Sequence, residues 1–391
     1  MTKRLYLSRP SLICALGNGL ESCAASLFAD QRPAALRPHE GFLVDRSPWL
    51  GCIDPSQELP LLEDVPVQFR SRNNQLLAAL IEPLRPVLEA ALNRYGPDRV
   101  AIVIGTSTSG IAESERALLS PSPDYHYAKQ EMAQPAQFLQ HYLGTRGPAY
   151  VVSTACASSA MAIAAGSRLI RCGFADVALV GGADTLCRFT VAGFAALESL
   201  SSGLSMPFSR SRDGINIGEG GALFLLGPDE GPVLLAGYGE SSDAYHMSAP
   251  DPSGCGALAA MKGAILDASL ALDQIDYINL HGTGTPLNDQ MEAIAITRLG
   301  AASVPCSSTK PLTGHALGAA GAIEAAICWL VLADNPGRYL PPHWYDGGYD
   351  PDLPPLALVE PRGQCARPPR HVLSNSFAFG GSNVCLALSA A

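Results

Sequence analysis

The sequence predicts an α/β fold in which buried β strands alternate with helices. Runs of β-branched and aliphatic residues, such as Val100–Ile104 and Val177–Val180, are separated by longer segments rich in Ala, Leu and Ile. Strands with almost no polar residues are typical of sheets that are covered on both faces. Hydrophobic residues make up 47% of the 391-residue chain and charged residues only 16%, which indicates a large buried core. Together these features favour alternating layers of sheet and helix.

Strands are predicted where β-branched and aliphatic residues cluster between turn residues. These segments are Arg4–Ser8, Val100–Ile104, Ala149–Ser153, Val177–Val180, Ala222–Leu226, Val233–Ala236, Ile275–Leu280, His371–Ser374 and Val384–Leu388. Helices are predicted for longer segments with helical apolar spacing. These are Asn74–Asn93, Cys156–Cys172, Gly256–Leu270, Asp289–Leu299 and Gly318–Ala333. Pro83 and Pro86 each lack a backbone donor, so we expect the first helix to be kinked or split there.

The chain is predicted to consist of two halves, residues 1–230 and 231–391, with a boundary at the glycine- and proline-rich Glu230–Pro232. The run Gly220–Leu226 resembles Gly380–Leu386, which lies 160 residues later. A single match of this length also arises by chance. The pattern alone therefore leaves a duplication open.

Cys156, in the segment Ser153–Ser159, is the strongest candidate nucleophile among the eleven cysteines. A predicted strand precedes it and a predicted helix follows, so the turn would place Cys156 at a helix N-terminus. Unpaired N–H groups and the helix dipole there favour a thiolate. The alternative is a buried structural cysteine, which most of the eleven must be. The small neighbours and the strand-to-helix turn favour catalysis.

Two glycine-rich motifs, His281–Thr285 and Lys310–His315, add two imidazoles. Neutral Nε2–H groups at His281 and His315 could donate to a developing enolate oxygen. The helix predicted after His315 is expected to lower the pKa of that imidazole and keep it neutral. Zinc is the main alternative for such a set. The ligands lack local pairing and a fourth is missing, so we expect no metal.

The remaining histidines have less informative surroundings. A single histidine is more often structural or exposed than catalytic, and five have no special setting in the sequence: His39, His126, His141, His343 and His371.

The three motifs resemble those of the elongating β-ketoacyl-acyl-carrier-protein synthases, condensing enzymes with a Cys-His-His centre. The resemblance covers nearly the whole chain. Further matching blocks are Arg146–Pro148, Gly181–Asp184, Pro207–Gly214, Gly218–Gly220, Ser242–His246, Gly318–Gly321 and Asn375–Asn383. It implies a duplicated thiolase-like fold with αβαβα layers. It also implies decarboxylative condensation of an acyl-Cys156 thioester with malonyl-acyl carrier protein, with no metal or dissociable cofactor.

By the same resemblance, Lys310 and Glu324 organise the catalytic network. Glu324 interrupts an apolar helix, so it needs a buried partner, and Lys310 is the obvious one. Phe379 is implied to shield Cys156, and the backbone N–H groups of these two residues are implied to form an oxyanion hole. The loop Phe377–Ser382 resembles a mobile gate.

Substrate-binding roles are implied for Thr108, Thr283, Thr285, Phe377 and Ala378. Thr108 falls near a position that often carries a larger apolar residue in the family, so we expect a more open acyl channel. Ala378 stands where glycine is usual in the gate, which is expected to stiffen it. These departures leave fatty-acid synthesis and secondary metabolism, such as the synthesis of polyunsaturated aryl chains, both open.

The composition also limits the partners. A net charge of −10 and the lack of a basic block argue against nucleic acid. Eleven cysteines without zinc-type spacing or a CxxC pair indicate free thiols in a reducing cytoplasm. The apolar stretch Ala316–Asp334 contains Glu324 and is too short to span a bilayer.

The resemblance implies two kinds of partner. One is acyl carrier protein in its acyl and malonyl forms. The other is a second subunit, in a homodimer or in a heterodimer with a related ketosynthase-like chain. The alternatives are a non-catalytic subunit that shapes a heterodimer pocket and a carrier-protein docking module. The presence of Cys156, His281, His315 and Lys310 argues against the first alternative, and the second would need no reactive thiol.

Overall fold

The architecture is a stack of sheets and helices, seen in a computed structural model that describes residues 4–391. The strands are β1 Tyr6–Leu7, β2 Ser11–Cys14, β3 Gly17–Asn18, β4 Leu36–Pro38, β5 Trp49–Gly51, β6 Val100–Gly105, β7 Ala149–Val152, β8 Val177–Asp184, β9 Gly220–Gly227, β10 Val233–Ser242, β11 Tyr277–Asn279, β12 Cys306–Ser307, β13 His371–Phe377 and β14 Ser382–Ala390. The helices are α1 Leu20–Leu27, α2 Arg72–Ile81, α3 Arg85–Tyr95, α4 Ile111–Leu119, α5 Gln134–Leu143, α6 Ser158–Arg171, α7 Arg188–Ala196, α8 Cys255–Asp267, α9 Pro286–Leu299, α10 Lys310–Thr313 and α11 Ala320–Ala333.

Two groups of strands share the same order and directions. In the first group β6 is parallel to β7 and β8, and β9 is antiparallel to β8 and β2. In the second group β11 is parallel to β12 and β13, and β14 is antiparallel to β13 and β10. The short strand β1 pairs with both β9 and β10 and so joins the two groups. This repeat makes β9 equivalent to β14, the two strands whose sequences resemble each other.

Helices α6 and α11 form the layer between the two groups of strands. Helix α6 packs on β6 and β8, α11 packs on β13, and the two helices contact each other. Helices α2 and α5 contact the first group of strands. Helix α8 contacts β10 and β14 of the second group, and α9 packs against α8. The predicted αβαβα arrangement is confirmed.

Small residues allow α6 and α11 to approach closely. A Cβ atom at Gly321 would lie 2.8 Å from the Cβ of Ala160, which is too close for ordinary packing. A Cβ atom at Gly318 would lie 2.7 Å from Oδ2 of Asp184. Gly321 therefore lets the N-terminal end of α11 approach α6, and Gly318 lets the turn before α11 approach the end of β8.

The predicted elements are largely present, with changed bounds. Helix Asn74–Asn93 is split as expected, because α2 ends at Ile81 and α3 begins at Arg85 after a 3₁₀ turn that contains Pro83. The strand predicted over Arg4–Ser8 is shorter, since only β1 is strand and β2 follows after Pro10. Several short elements had not been predicted: β2 to β5, β12, α1, α4, α5, α7 and α10.

The connection between β9 and β10 contains the predicted boundary at Glu230–Pro232. The division into halves 1–230 and 231–391 stays a prediction, and its residues 1–3 lie outside the described residues. None of the helices between residues 4 and 391 combines the length and apolarity that crossing a bilayer requires.

Candidate active site

Cys156 lies on a sharp turn between β7 and α6. Ala155 adopts a left-handed φ of 48°, which costs about 1–2 kcal/mol for a residue with a side chain. The Ser158 hydroxyl accepts the Thr154 N–H at 2.9 Å and donates to the Ala155 carbonyl at 2.5 Å, which holds the turn. The helix begins at Ser158, so the predicted start at Cys156 is wrong by two residues. The turn directs the thiol inward, and Cys156 is only 6% exposed.

The structure brings the three predicted reactive groups together. Nε2 of His315 lies 3.0 Å from Sγ of Cys156. The rings of His281 and His315 are 5.5 Å apart and nearly perpendicular, at 81°. One atom from each of the three side chains lies within 4.8 Å of the others. The groups come from the turn before α6, the loop after β11 and the loop after α10, so only the tertiary fold unites them.

The environment of Cys156 favours the neutral thiol. Burial raises the pKa of the Cys156 thiol to about 11. The charge of Lys310 and the backbone N–H groups of Phe379 and Cys156 act in the opposite direction. The expectation of a resting thiolate is therefore wrong, because desolvation outweighs the helix N-terminus. The two N–H groups that the resemblance implied for an oxyanion hole both reach the sulfur.

Both histidines are neutral at pH 7. Burial, followed by the charge of Lys310, holds the pKa values of His281 and His315 well below their usual range. The direction for His315 agrees with the sequence-based expectation, but the cause is burial and a cation, not a helix end. Nζ of Lys310 lies 3.4 Å from Nδ1 of His281. An ammonium only donates, so Nδ1 of His281 is the acceptor and Nε2 carries the hydrogen.

Lys310 and Glu324 form a buried ion pair, as predicted. Each side chain is only 2% exposed. Nζ of Lys310 also donates to the backbone carbonyl of His281 at 2.5 Å. Burial raises the pKa of the Glu324 carboxyl to about 7, although Lys310 lowers it. Lys310 is thus held next to His281 by two partners, the Glu324 carboxylate and the His281 backbone carbonyl.

Two buried carboxylates on α9 hold the loop that carries His281, and neither was predicted. The N–H groups of His281 and Gly282 donate to Glu292 at 2.8 and 2.7 Å. The N–H of Gly284 donates to Asp289 at 3.2 Å. Both acidic residues are fully buried. Their signal in the sequence is the presence of two acids in the first half of a helix that follows a glycine-rich loop, where exposed backbone N–H groups need acceptors.

The reactive groups line one pocket, here called the catalytic pocket. Of the predicted substrate-binding residues, it contains Thr283, Thr285 and Phe377, and Phe379 also lines it. The ring of Phe379 packs against Phe194 at 5.8 Å. The lining residues that sequence reasoning missed are Phe194, Ser199, Ile215 and Asn288.

Thr108 and Ala378 are not among the residues that line this pocket. The Thr108 hydroxyl and N–H donate to the buried carboxylate of Asp184 at 2.7 and 2.9 Å. Ala378 has a φ of −100°, which alanine adopts without strain. The left-handed turn of the loop Phe377–Ser382 is formed by Gly380 and Gly381 instead, with φ values of 83° and 78°.

Comparison with known proteins gives the family. Models for the N-terminal and C-terminal domains of β-ketoacyl synthases match residues 87–230 and 233–343. The chain belongs to the β-ketoacyl synthase family. The resemblance found in the sequence is thereby confirmed.

Individual members of the β-ketoacyl synthase family resemble the chain over different lengths. The 3-oxoacyl-[acyl-carrier-protein] synthase 2 of Coxiella burnetii is 34% identical over 99% of this chain and 98% of that protein. The protein of the same name from Rhizobium meliloti is 40% identical over 262 residues, which cover 62% of this chain. In that match the chain spans 61% of the relative's length.

Solved structures agree with the family assignment. A ketosynthase from Xenorhabdus doucetiae, in complex with its chain length factor, is 44% identical with a TM-score of 0.93. The match covers 100% of this chain and 98% of that one. A β-ketoacyl synthase from Burkholderia phymatum is 27% identical with a TM-score of 0.87, and both chains are covered completely.

Proposed function

We propose that this chain catalyses a decarboxylative Claisen condensation. An acyl group held as a thioester on Cys156 reacts with malonyl-acyl carrier protein and gives 3-oxoacyl-acyl carrier protein and CO2. The observation that carries the proposal is the convergence of Cys156, His281 and His315, with 3.0 Å between the thiol and His315. This is the equipment needed to form a thioester and to stabilise an enolate.

In the acyl transfer step, the Cys156 sulfur attacks the thioester carbonyl of acyl-carrier protein. Because the thiol is neutral, its proton must move first, and Nε2 of His315 is the adjacent acceptor. The backbone N–H groups of Cys156 and Phe379 stabilise the tetrahedral oxyanion. The carrier-protein thiol leaves with the proton, and the acyl–Cys156 thioester remains.

In the condensation step, the malonyl C–C bond breaks and CO2 leaves. The electron pair forms an enolate whose oxygen accepts from Nε2–H of His281, with His315 as the second polar group. Because the pKa values of both histidines are low, a neutral imidazole can donate to the enolate without a net change of charge. The enolate carbon then attacks the acyl carbonyl, and the C–S bond to Cys156 breaks with its electron pair on sulfur. The Cys156 thiolate takes up one proton from water, which regenerates the thiol.

The test of the proposal has two stages. Incubation with acyl-carrier protein should add the acyl mass to the peptide that contains Cys156, and addition of malonyl-carrier protein should then yield the 3-oxoacyl product. Cys156→Ala is the control and should give neither. An adduct on another cysteine, or no adduct at all, would refute the assignment and favour a non-catalytic, chain-length-shaping subunit.

We also propose that the chain acts with acyl carrier protein and as a dimer. Large apolar side chains on α4 and α7 are exposed, with Leu118 at 87%, Leu119 at 72% and Phe189 at 66%. Such a patch is typical of a protein contact. The Xenorhabdus doucetiae ketosynthase in complex with its chain length factor supports a non-identical partner. Light scattering should give twice 40.9 kDa for a homodimer. A purified chain that condenses only after a related subunit is added would indicate a heterodimer.

The cellular compartment that we propose is the cytoplasm. All eleven cysteines are free, including Cys14 and Cys23, whose sulfurs are 4.0 Å apart. Unpaired thiols at this density suit a reducing compartment. The pathway that we propose is fatty-acid or secondary-metabolite synthesis, and the masses of carrier-protein products formed from a panel of acyl primers would distinguish the two.

A further inference from the structure

His343 lies outside the catalytic pocket, yet it is 3% exposed and hydrogen-bonded at both ring nitrogens. Nδ1 accepts the backbone N–H of Ser308 at 3.1 Å, and Nε2 donates to the Pro207 carbonyl at 3.0 Å. An amide N–H can only donate and a carbonyl can only accept, so these partners fix the tautomer. Burial lowers the pKa of His343 to about 4 and keeps the ring neutral. His343 is thus a buried histidine with both ring nitrogens hydrogen-bonded, which is one of the two settings that the sequence analysis expects for a histidine without a motif.

The first partner of His343 connects two catalytic loops. The Ser308 hydroxyl donates to the Gly282 carbonyl at 2.6 Å and accepts the Lys310 N–H at 3.3 Å. Gly282 follows His281 directly, and Nζ of Lys310 returns to the His281 carbonyl. Two successive hydrogen bonds therefore lead from His343 to the loop of His281.

The second partner of His343 reaches the same loop from its other end. Pro207 precedes Phe208, whose N–H donates to Asp289 at 2.9 Å, and the other oxygen of that carboxylate accepts the Gly284 N–H. The rings of Phe208 and Tyr345 lie 5.9 and 5.1 Å from the imidazole of His343 and leave it little room to turn. His343 is thus tied to the loops at 207–208, 281–284 and 308–310.

We infer that His343 is a positioning residue for the condensation step, an inference that rests on the function proposed above. It fixes Ser308, and through Ser308 the relative placement of His281 and Lys310. The turn that carries Cys156 is held by Thr154 and Ser158 and makes none of these contacts. Loss of the Nδ1 acceptor would leave the Ser308 N–H buried without a partner and shift the His281 loop, while the nucleophile stays in place.

The experiment compares two amide substitutions. His343→Asn keeps an acceptor at the position of Nδ1, whereas His343→Gln moves the amide one bond further, towards the position of Nε2. Both half-reactions are measured on the same preparation: acylation of Cys156 by mass spectrometry, and CO2 release from malonyl-carrier protein. His343→Gln should lower decarboxylation about 10- to 100-fold, the scale of a displacement of up to 1 Å, and change acylation less than about threefold. His343→Asn should restore most of the decarboxylation.

Other results would overturn either the inference about His343 or the proposed function. If the wild-type protein condenses neither alone nor with a related subunit added, the proposed function fails, and the inference about His343 fails with it. If it condenses and His343→Gln leaves the ratio of the two half-reactions unchanged, the inference alone is overturned. A parallel loss of both half-reactions also overturns it, because a merely structural role would lower them together. Should His343→Gln be recovered unfolded, His343→Thr, which is too short to reach both partners, is measured by the same criteria.

Discussion

Removal of one member of the Lys310–Glu324 pair should destabilise the protein strongly. Both side chains are 2% exposed, so the relevant range is about 3–5 kcal/mol for breaking a buried pair, not the 0–1 kcal/mol of a surface pair. In Glu324→Gln the Lys310 ammonium still has one partner, because it donates to the His281 carbonyl at 2.5 Å. We therefore expect a loss near the lower end, about 3 kcal/mol. An exposed pair, Arg94–Asp229, provides the control: Asp229→Asn should cost less than about 1 kcal/mol.

The stability of Lys310→Met should also depend on pH in a way that tests the pairing. Burial raises the pKa of Glu324 to about 7, so the folded state binds a proton more tightly than the unfolded chain. The stability contributed by such a group falls as the pH rises from its unfolded pKa to its folded pKa, and is then constant. Loss of Lys310 raises the folded pKa further, so stability continues to fall above pH 7. The free energy of unfolding that Lys310→Met loses relative to the wild type should thus be larger at pH 8 than at pH 6.

Urea unfolding at pH 6 and pH 8, at fixed protein concentration, measures these effects. The five proteins needed are the wild type, both single variants, the double variant Lys310→Met/Glu324→Gln and the control Asp229→Asn. The double variant should lose less than the sum of the single losses, because it leaves no uncompensated buried charge. Single losses below about 1 kcal/mol, equal to that of Asp229→Asn, would show that water reaches the pair, and the reasoning from burial would be refuted.

The histidines, the nucleophile and the channel give the remaining predictions. His281→Ala should still become acylated but condense at least about 10²-fold more slowly, whereas His315→Ala, which loses the acceptor for the Cys156 proton, should slow acylation as well. Near-normal condensation by either variant would remove that residue from the mechanism. Alkylation of Cys156 by iodoacetamide should rise about tenfold per pH unit and level off only near pH 11, and a plateau below pH 8 would contradict the raised pKa. Thr108→Phe should reduce turnover of long primers more than of acetyl, whereas Thr108→Val, which lacks the hydroxyl but keeps the size, should not change that ratio; equal losses for all chain lengths with both variants would assign Thr108 to Asp184 alone.

The parts of the site that depend on residue type and chain order could be predicted from the sequence. Cys156, His281 and His315 stand in small-residue motifs, and Glu324 interrupts an apolar helix, so each is visible without coordinates. The protonation state of Cys156 could not be predicted in this way. The neighbouring sequence shows only the helix that follows Cys156. The pKa of the thiol is set mainly by burial under residues that are distant in the chain.

The roles of Thr108 and His343 show the same limit. The position of Thr108 in a motif predicts a place in the acyl channel, but it does not reveal that the Thr108 hydroxyl donates to Asp184, 76 residues away. His343 has no motif, and its partners Pro207 and Ser308 lie 136 and 35 residues away. Long-range hydrogen bonds of this kind leave no local periodicity, so only the folded chain reveals them.

The repeat of the fold explains why the reactive groups meet where they do. Helices α6 and α11 occupy equivalent places between the two groups of strands, and the residues before them, Ala155 and Leu317, have the same left-handed φ of 48°. Each turn directly precedes the N-terminal end of a central helix, and Cys156 and His315 lie on these two turns. Close packing at Gly321 brings the two ends together. The packing of α6 against α11 thus brings Cys156 and His315 within 3.0 Å of each other, so changes at this helix contact should affect catalysis as directly as changes in the pocket.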